Sequence, residues 1–97
     1  MTPVKRLEII IDAPELPTLL ALLRAKGVSG YTVISPVTGS GGRGERRNDE
    51  PGGGSGNAFV LTAVSNEQAV EVIEAIRPVL KRRGGICLVT DAQSVIH

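Results

Sequence analysis

A glycine-rich segment, residues 39–57, constrains the fold more than any other part of the sequence. It contains eight of the twelve glycines and no large apolar side chain, so it cannot contribute to a hydrophobic core. Glycine accepts positive φ freely and loses more conformational entropy on ordering than any other residue. Three arginines and three acidic residues in the segment balance to zero formal charge. Because a loop this long in a small domain is usually functional or disordered, we expect a mobile arm whose first half, GSGGR, binds an anion.

The rest of the chain offers little material for a stable isolated core. The sequence has 97 residues, which we assign to a single domain, residues 1–97, and only 2% of them are aromatic. A domain of this size buries only about 60% of the surface of its unfolded chain, so self-association would add useful burial. The formal net charge is +1. This argues against non-specific nucleic-acid binding, which needs a basic face.

Cysteine content and hydropathy indicate the compartment. The single cysteine, Cys87, permits no internal disulfide and fits a reducing cytoplasm. No apolar run approaches the ~20 residues needed to span a bilayer, and the N-terminus lacks the apolar core of a signal peptide. The lone histidine, His97, stands at the chain end, and we expect no metal site. We therefore predict a soluble cytoplasmic protein.

The first half of the chain predicts a strand, a helix and a second strand. Residues 5–11, KRLEIII, are short and β-branched, which is typical of a strand. Leucines at helical spacing, with Asp12 as a candidate N-cap, predict a helix over residues 13–26. Residues 30–37, GYTVISPV, form the predicted second strand. Its Pro36 cannot donate to a ladder, which predicts an edge or a bulge there.

The second half repeats this order. Residues 58–64, AFVLTAV, predict the third strand. The next helix should begin with a capping box between Ser65 and Gln68. Pro78 blocks one helical hydrogen bond, so we expect the helix to end or kink near Arg77.

The chain closes with a basic glycine-containing element, residues 81–85 (KRRGG), a strand over residues 86–90 and a tail over residues 91–97. The element order is therefore β-α-β, long loop, β-α-β. This order predicts an α+β, ferredoxin-like fold. In that fold, a four-stranded antiparallel sheet carries both helices on one face, and the long loop joins strands two and three.

Two motifs resemble those of a known family. GYTV, residues 30–33, leads through the second strand into GSGGRG, and SNEQAVEVIEAI, residues 65–76, opens the second helix. In this order and spacing they resemble the PII signal-transduction superfamily, in particular its PII-like branch of carboxysome-associated and bicarbonate-linked proteins. The resemblance implies a homotrimer with nucleotide clefts between subunits. Each cleft would lie between the base of the T-loop, residues 39–57, and the B-loop, residues 81–85.

The family's ligand residues carry over position by position. Thr32 matches the threonine that contacts adenine, and Ala63 and Val64 match apolar positions that line the base pocket. The nucleotide-binding residues implied in this way, together with the two glycine-arginine elements, are Thr32, Gly39, Ser40, Gly41, Gly42, Arg43, Ala63, Val64, Arg82, Arg83, Gly84 and Gly85. The B-loop is shorter than the family pattern, which favours AMP or ADP over ATP; cyclic AMP is a further candidate.

Both glycine-arginine elements suit an anion. Backbone N–H groups in a glycine-rich turn can converge on phosphate oxygens, and an arginine fork grips phosphate in two places. Strands two and four lie apart in the predicted sheet, so a subunit interface is needed to join the two elements. A charge-assisted hydrogen bond returns about 1.5–3 kcal/mol, against roughly 1–2 kcal/mol for each ordered residue. We therefore predict that nucleotide orders residues 39–43 and leaves residues 46–57 mobile.

A second, smaller anion is a sharper hypothesis. Bicarbonate beside the nucleotide could engage Arg46 or Arg47, and linkage then requires each ligand to raise the affinity for the other equally. The arm would signal to a protein target in inorganic-carbon metabolism, such as a transporter or a carboxysome component. The protein would then be cytoplasmic, with carboxysome association as a further expectation.

Other functions share the predicted topology. An RNA-binding module of RRM-like topology is the main alternative, but such sheets stack bases on exposed aromatic side chains, and only Phe59 could serve. An acylphosphatase would need a phosphate-binding loop with an arginine after strand one, where this chain has Asp12-Ala-Pro-Glu. A microcompartment shell subunit fits poorly with a long charged arm. No plausible nucleophile or general base lies near the glycine elements, so we expect no enzymatic turnover.

Overall fold

The computed structural model places two helices on one face of a four-stranded antiparallel sheet. It describes residues 1–37, 39–41, 44–46 and 56–95, with side chains for residues 1–35 and 56–95. The elements, in chain order within each class, are strands β1 (Thr2–Asp12), β2 (Thr32–Val37), β3 (Gly39–Gly41), β4 (Gly44–Arg46), β5 (Asn57–Val64) and β6 (Ile86–Ser94), and helices α1 (Leu16–Ala25) and α2 (Asn66–Arg83). The sheet order is β2-β5-β1-β6, with every neighbouring pair antiparallel. The predicted ferredoxin-like fold is confirmed.

Strand β1 supplies the centre of the core. Its alternate residues Leu7, Ile9 and Ile11 are at most 2% exposed and pack beneath the helices. Opposite Ile9 in the two ladders stand Val60 of β5 and Cys87 of β6. Because side chains alternate along a strand, the intervening residues of β1 face away from the helices. We call this second surface the open face of the sheet.

Strand β6 is longer than the sequence predicted. It runs to Ser94, so most of the expected tail, residues 91–97, belongs to the sheet. Its second half pairs with the start of β1, which itself begins at Thr2; Asp91, for example, stands opposite Lys5. Pairing with β6 extends the start of β1, and pairing with β1 extends the end of β6. The sequence has no turn signal at either of these two ends. The predicted tail is therefore wrong for residues 91–94.

Helix α2 continues through Pro78 to Arg83, so of the two predicted outcomes, an end or a kink near Arg77, the helix end is wrong. A proline inside a helix costs about 3 kcal/mol, because it removes a hydrogen bond to the carbonyl four residues earlier. That carbonyl belongs to Glu74, which is exposed, and water can bind it. Beyond the proline, Val79 is 3% exposed and Leu80 packs against the core. A buried side chain of this kind contributes about 1.5–3 kcal/mol, which is enough to keep the last turns helical.

Helix α1 is preceded by a short 3-10 turn, Ala13–Glu15. Asp12 occupies the N-cap position of this turn, yet its side chain makes no capping hydrogen bond, so the predicted cap is wrong. Pro14 already omits one of the amides that a cap would satisfy. At the other end, Gly27 follows the helix with a φ of 82°, a left-handed conformation that glycine accepts readily.

Part of the predicted loop is a short ladder. Strands β3 and β4 pair in antiparallel register, with Gly39 opposite Arg46 and Gly41 opposite Gly44. The prediction of an unbroken loop from residue 39 is thus wrong for these two stretches. The register between β2 and β5 shifts between Ile34 and Val37, which confirms the expected irregularity at Pro36. Neither helix of the described chain is long and apolar enough to cross a membrane.

Gln68 joins the two helices at one end of the sheet. The Ser65 hydroxyl accepts the Gln68 amide at 3.0 Å, which confirms the predicted capping box. The Nε2 group of Gln68 also donates to the carbonyls of Gly27 at 3.0 Å and Lys26 at 3.5 Å. One side chain therefore satisfies polar groups at the start of α2 and at the end of α1, where helix termini leave backbone groups unpaired.

We expect Gln68→Glu to destabilise the fold by about 1–2 kcal/mol, because it replaces a donor by a negative charge beside the carbonyl end of α1. Equilibrium denaturation in urea at neutral pH measures this change. Lowering the pH toward 4 should recover part of the loss, since a protonated glutamate is neutral. Glu71→Gln, on the exposed side of α2, is the control and should change stability by less than about 0.5 kcal/mol. Equal stability of Gln68→Glu and the wild type would contradict the bridging role.

Candidate functional site

The predicted site residues fall into two groups at opposite ends of the sheet. Thr32 stands opposite Leu61, so it lies at the same end as Ala63 and Val64. Val37, by contrast, pairs with Asn57 at the other end, where β3 follows. Residues 82–85 also lie at that end, because β6 starts opposite Ile10, near the end of β1.

At the first end, Thr32 and Ala63 line a cavity of about 300 Å³ on the open face. The cavity is also lined by Arg6, Gly30, Tyr31, Leu61 and Thr62. Thr62 donates its hydroxyl hydrogen to the Gly30 carbonyl at 2.5 Å, which fixes the chain leading into β2. Thr32 and Ala63 are both exposed, so a flat heterocycle could reach them.

Val64 does not line this cavity with its side chain. It is 3% exposed and belongs to the core. Val64 pairs with Lys5, which lies on the same face of β1 as Leu7, and that face is covered by the helices. The Val64 side chain is therefore not available to a base on the open face, and the predicted place of Val64 in the nucleotide site remains a prediction for its main chain. Sequence reasoning had no register from which to separate Ala63 from Val64, although they face opposite sides of the sheet.

Sequence reasoning also missed Arg6. It stands opposite Ala63 on the open face, and its guanidinium reaches the Glu8 carboxylate only at 3.9 Å. That separation exceeds a hydrogen bond, so the pair is weak. The alternation of β1 could have placed Arg6 on the open face, but only pairing with β5 puts it beside Ala63.

A second cavity, of about 470 Å³, adjoins the first and shares Gly30 and Tyr31 with it. Arg24, in the last turn of α1, and Tyr31 both line this cavity. Nη1 of Arg24 donates to the Tyr31 hydroxyl at 3.1 Å. The hydrogen bond fixes the ring near the entrance to β2. Tyr31 thus links the end of α1 to the start of β2.

At the other end, the glycine pair closes helix α2. Gly84 adopts a left-handed conformation with a φ of 73°, and its amide donates to the Leu80 carbonyl. The Gly85 amide donates to the same carbonyl at 2.8 Å. These two N–H groups are therefore used within the protein, and the prediction that they form a phosphate nest is wrong. What this corner offers an anion is its side chains, Arg82 and Arg83.

Gly85 is required by close packing. A Cβ at this position would lie 2.9 Å from Cγ2 of Ile11, 3.0 Å from the Ile10 carbonyl oxygen and 3.0 Å from Cδ2 of Leu80. Two of these neighbours belong to β1, the central strand. Any side chain at residue 85 would thus push the corner away from the sheet.

We expect Gly85→Ala to destabilise the protein by about 1–3 kcal/mol, the usual cost of overpacking a core. Gly30→Ala is the matched control, because a Cβ there meets no atom within 4 Å. It should be neutral or stabilising by up to about 1 kcal/mol through the unfolded state. Thermal unfolding of both variants measures the difference. If Gly85→Ala melts no lower than the control, the close approach does not constrain this corner.

The charged groups around this corner are partly paired. Arg82 donates from Nε to Oε1 of Glu15 at 2.9 Å, and Arg83 also has an interaction partner. Lys81, Arg82 and Arg83 form the last turn of α2, where cations complement the helix dipole. Sequence reasoning missed Glu15, and no local signal links it to residue 82.

Burial raises the pKa of the nearby Cys87 thiol, so this cysteine is a poor nucleophile at neutral pH.

The T-loop positions are described only in part. Gly39, Ser40 and Gly41 form β3, whereas Gly42, Arg43 and Arg47 lie outside the described residues. The backbone of Arg46 belongs to β4. Its predicted role toward bicarbonate, and the predicted mobility of residues 46–57, therefore remain predictions. Within the described part of the chain, no cluster of side chains could hold a metal ion.

The two groups cannot form one pocket within a single chain. β2 and β6 are the two edges of the sheet, separated by β5 and β1. Three strand spacings amount to about 14 Å, and the length of β2 adds about 16 Å more between Thr32 and Val37. A second copy of the chain is the simplest way to complete either half.

The open face also needs a cover. A row of apolar side chains crosses all four strands: Ile34, Phe59, Ile10 and Ile86. Ile34 is 53% exposed and Ile86 is 50% exposed, and Leu88 in the next row is 54% exposed. Apolar patches of this kind mark interaction surfaces.

The fold is that of a small ferredoxin-like domain, and its candidate site residues are divided between the two ends of the sheet. The chain belongs to the family described as nitrogen regulatory protein P-II, which it matches over residues 4–97. The resemblance read from the sequence is thereby confirmed. Proteins of this family act in signalling. No curated protein matches the chain by sequence.

Solved structures of PII-like proteins are similar to this chain. CPII from Thiomonas intermedia K12, bound to ADP, AMP and bicarbonate, is 27% identical with a TM-score of 0.86, and the match covers 95% of this chain and 88% of that chain. Its apo form is 26% identical with a TM-score of 0.77, covering 95% and 91%. A PII-like signaling protein from Thermus thermophilus is 26% identical with a TM-score of 0.77, covering 97% and 91%.

Proposed function

We propose that this protein is a trimeric PII-like sensor that binds ADP or AMP between subunits, together with bicarbonate. The observation that carries the proposal is the likeness to CPII, whose structure holds ADP, AMP and bicarbonate, over 95% of this chain. The ligand would report through the T-loop to a protein target. A transporter or a carboxysome component of inorganic-carbon metabolism is the target we propose, within the cytoplasm.

The division of the site supports assembly. The base would lie against Thr32 and Ala63 of one subunit, and the phosphates would meet Arg82 and the start of the T-loop, near Gly39, of its neighbour. The exposed apolar row on the open face would be buried in the same assembly. Ligand and interface would then stabilise each other, because a ligand that binds only the assembled form shifts the equilibrium toward it.

Replacing Ile34 by Asp should break the trimer into monomers, because it puts a charge into the apolar contact. Val70→Asp is the matched control: Val70 is 66% exposed on α2, away from the open face. Size-exclusion chromatography with light scattering measures the mass of each variant. A trimeric Ile34→Asp, or a wild type that is monomeric at every concentration, would refute assembly through this face.

ADP or AMP is the preferred ligand because the turn between α2 and β6, which would meet the phosphates, is short. We call this turn, with the end of α2, the phosphate-side corner. Helix α2 runs directly into the Gly84-Gly85 turn, and both glycine amides are already bonded to Leu80. Within the described part of this corner, the two glycine amides are therefore not available to a third phosphate. The family assignment also favours a regulatory protein over an RNA-binding module.

Isothermal titration calorimetry tests the function directly. We expect binding of ADP and AMP, weaker binding of ATP, and a separate titration decides whether cyclic AMP binds. ADP titrated with and without bicarbonate should give different dissociation constants, and linkage requires ADP to raise the affinity for bicarbonate by the same factor. Arg46→Ala should abolish this coupling and keep most ADP affinity. Identical constants with and without bicarbonate would remove the second ligand, and no heat with any adenylate would end the proposal.

A further inference from the structure

The contact between Glu15 and Arg82 joins two elements that are 67 positions apart. Nε of Arg82 donates to Oε1 of Glu15 at 2.9 Å. Glu15 ends the 3-10 turn after β1, and Arg82 lies in the last turn of α2. Both are therefore at the end of the sheet where β2 leads into β3, the end to which the proposed function assigns the phosphates.

Glu15 is the more firmly held partner of the two. Its side chain is 15% exposed, whereas that of Arg82 is 53% exposed. Pro14 and Pro17 flank it, and each proline ring fixes its own φ. The Ala13 amide also donates to the Gly56 carbonyl at 3.3 Å, which ties the turn to the segment before β5. Glu15 thus presents a fixed acceptor to a flexible arginine.

The hydrogen bond uses only one donor of the guanidinium. Arginine carries five N–H donors, and four of them belong to the two terminal nitrogens. Within the described residues, the Arg82 guanidinium makes no hydrogen bond other than the one from Nε. Because the guanidinium is planar and rigid, fixing Nε also orients the terminal donors. These donors match two oxygens of a phosphate group.

The orientation of the Arg82 guanidinium matters because the glycine amides beside it are already hydrogen-bonded within the protein. Gly84 and Gly85 both donate to the Leu80 carbonyl, so the main chain of this turn cannot supply those donors to an anion. Arginine side chains must then provide the binding at this corner. An arginine held before the ligand arrives loses less conformational freedom on binding than a mobile one.

On the basis of the proposed nucleotide binding, we infer that Glu15 is a positioning residue for the phosphate of ADP, acting through Arg82. It does not touch the nucleotide. Positioning and simple charge repulsion predict opposite changes in ADP affinity when Glu15 is replaced. Removing an acidic side chain near an anion would otherwise strengthen binding, whereas loss of a positioning residue weakens it.

The test compares ADP with adenosine as ligands of the 97-residue chain. Glu15→Ala removes the acceptor and should weaken ADP binding about three- to tenfold, the usual value of holding one flexible side chain in place. It should leave adenosine binding unchanged, because adenosine has no phosphate for Arg82 to meet. Glu74→Ala is the matched control, since it removes a carboxylate that pairs with Arg77 at 3.0 Å on the exposed side of α2.

A double-mutant cycle separates positioning from a structural role. Arg82→Ala should itself weaken ADP binding, and adding Glu15→Ala to it should cause no further loss. Thermal unfolding checks that each variant is folded. An unchanged or tighter ADP affinity in Glu15→Ala, an equal loss with adenosine, or additive losses in the cycle would each overturn the inference. A wild type that fails to bind ADP would overturn the proposed function as well, so the two failures are distinct.

Discussion

The antiparallel pairing of β1 with both β5 and β6 is the constraint on which the rest of the structure depends. It places Leu7, Ile9 and Ile11 beneath the helices, so one strand anchors the core. The same alternation puts Ile10 on the open face, in the apolar row that assembly would cover. Because β1 and β5 occupy the middle of the sheet, β2 and β6 become its edges. The two glycine-arginine elements follow or precede those edge strands and are kept apart by that order.

A site divided in this way has a physical consequence for regulation. In the proposed assembly, each subunit would contribute a surface for a heterocycle at one end and cationic side chains at the other. Ligand affinity would then depend on assembly, since the free energy of binding would be available only in the assembled form. The T-loop begins at the phosphate-side end, directly after β2. An anion bound there, as proposed, would act where the loop leaves the sheet.

The glycine corner shows that one motif can have a structural explanation and still serve a site. Gly84 is there because a left-handed residue ends α2, and Gly85 because no Cβ fits against Ile10 and Ile11. Their amides already donate to the Leu80 carbonyl. The chemistry of the corner therefore passes to side chains whose positions depend on packing. Glu15, held between two prolines, gives Arg82 a fixed partner, which makes the start of α1 part of the phosphate-side corner.

The sequence by itself determined the order of the elements, the capping box of Ser65 and Gln68, the irregularity at Pro36 and the family. Each of these follows from local backbone chemistry or from a motif read along the chain. Only the tertiary structure decided that Val64 faces the core while Ala63 faces outward, because a strand's faces are assigned by its pairing register. Only packing carried α2 past Pro78, and only the ladder with β1 extended β6 to Ser94. The Glu15–Arg82 contact belongs to the same class, since no local pattern connects two residues that the fold alone brings together.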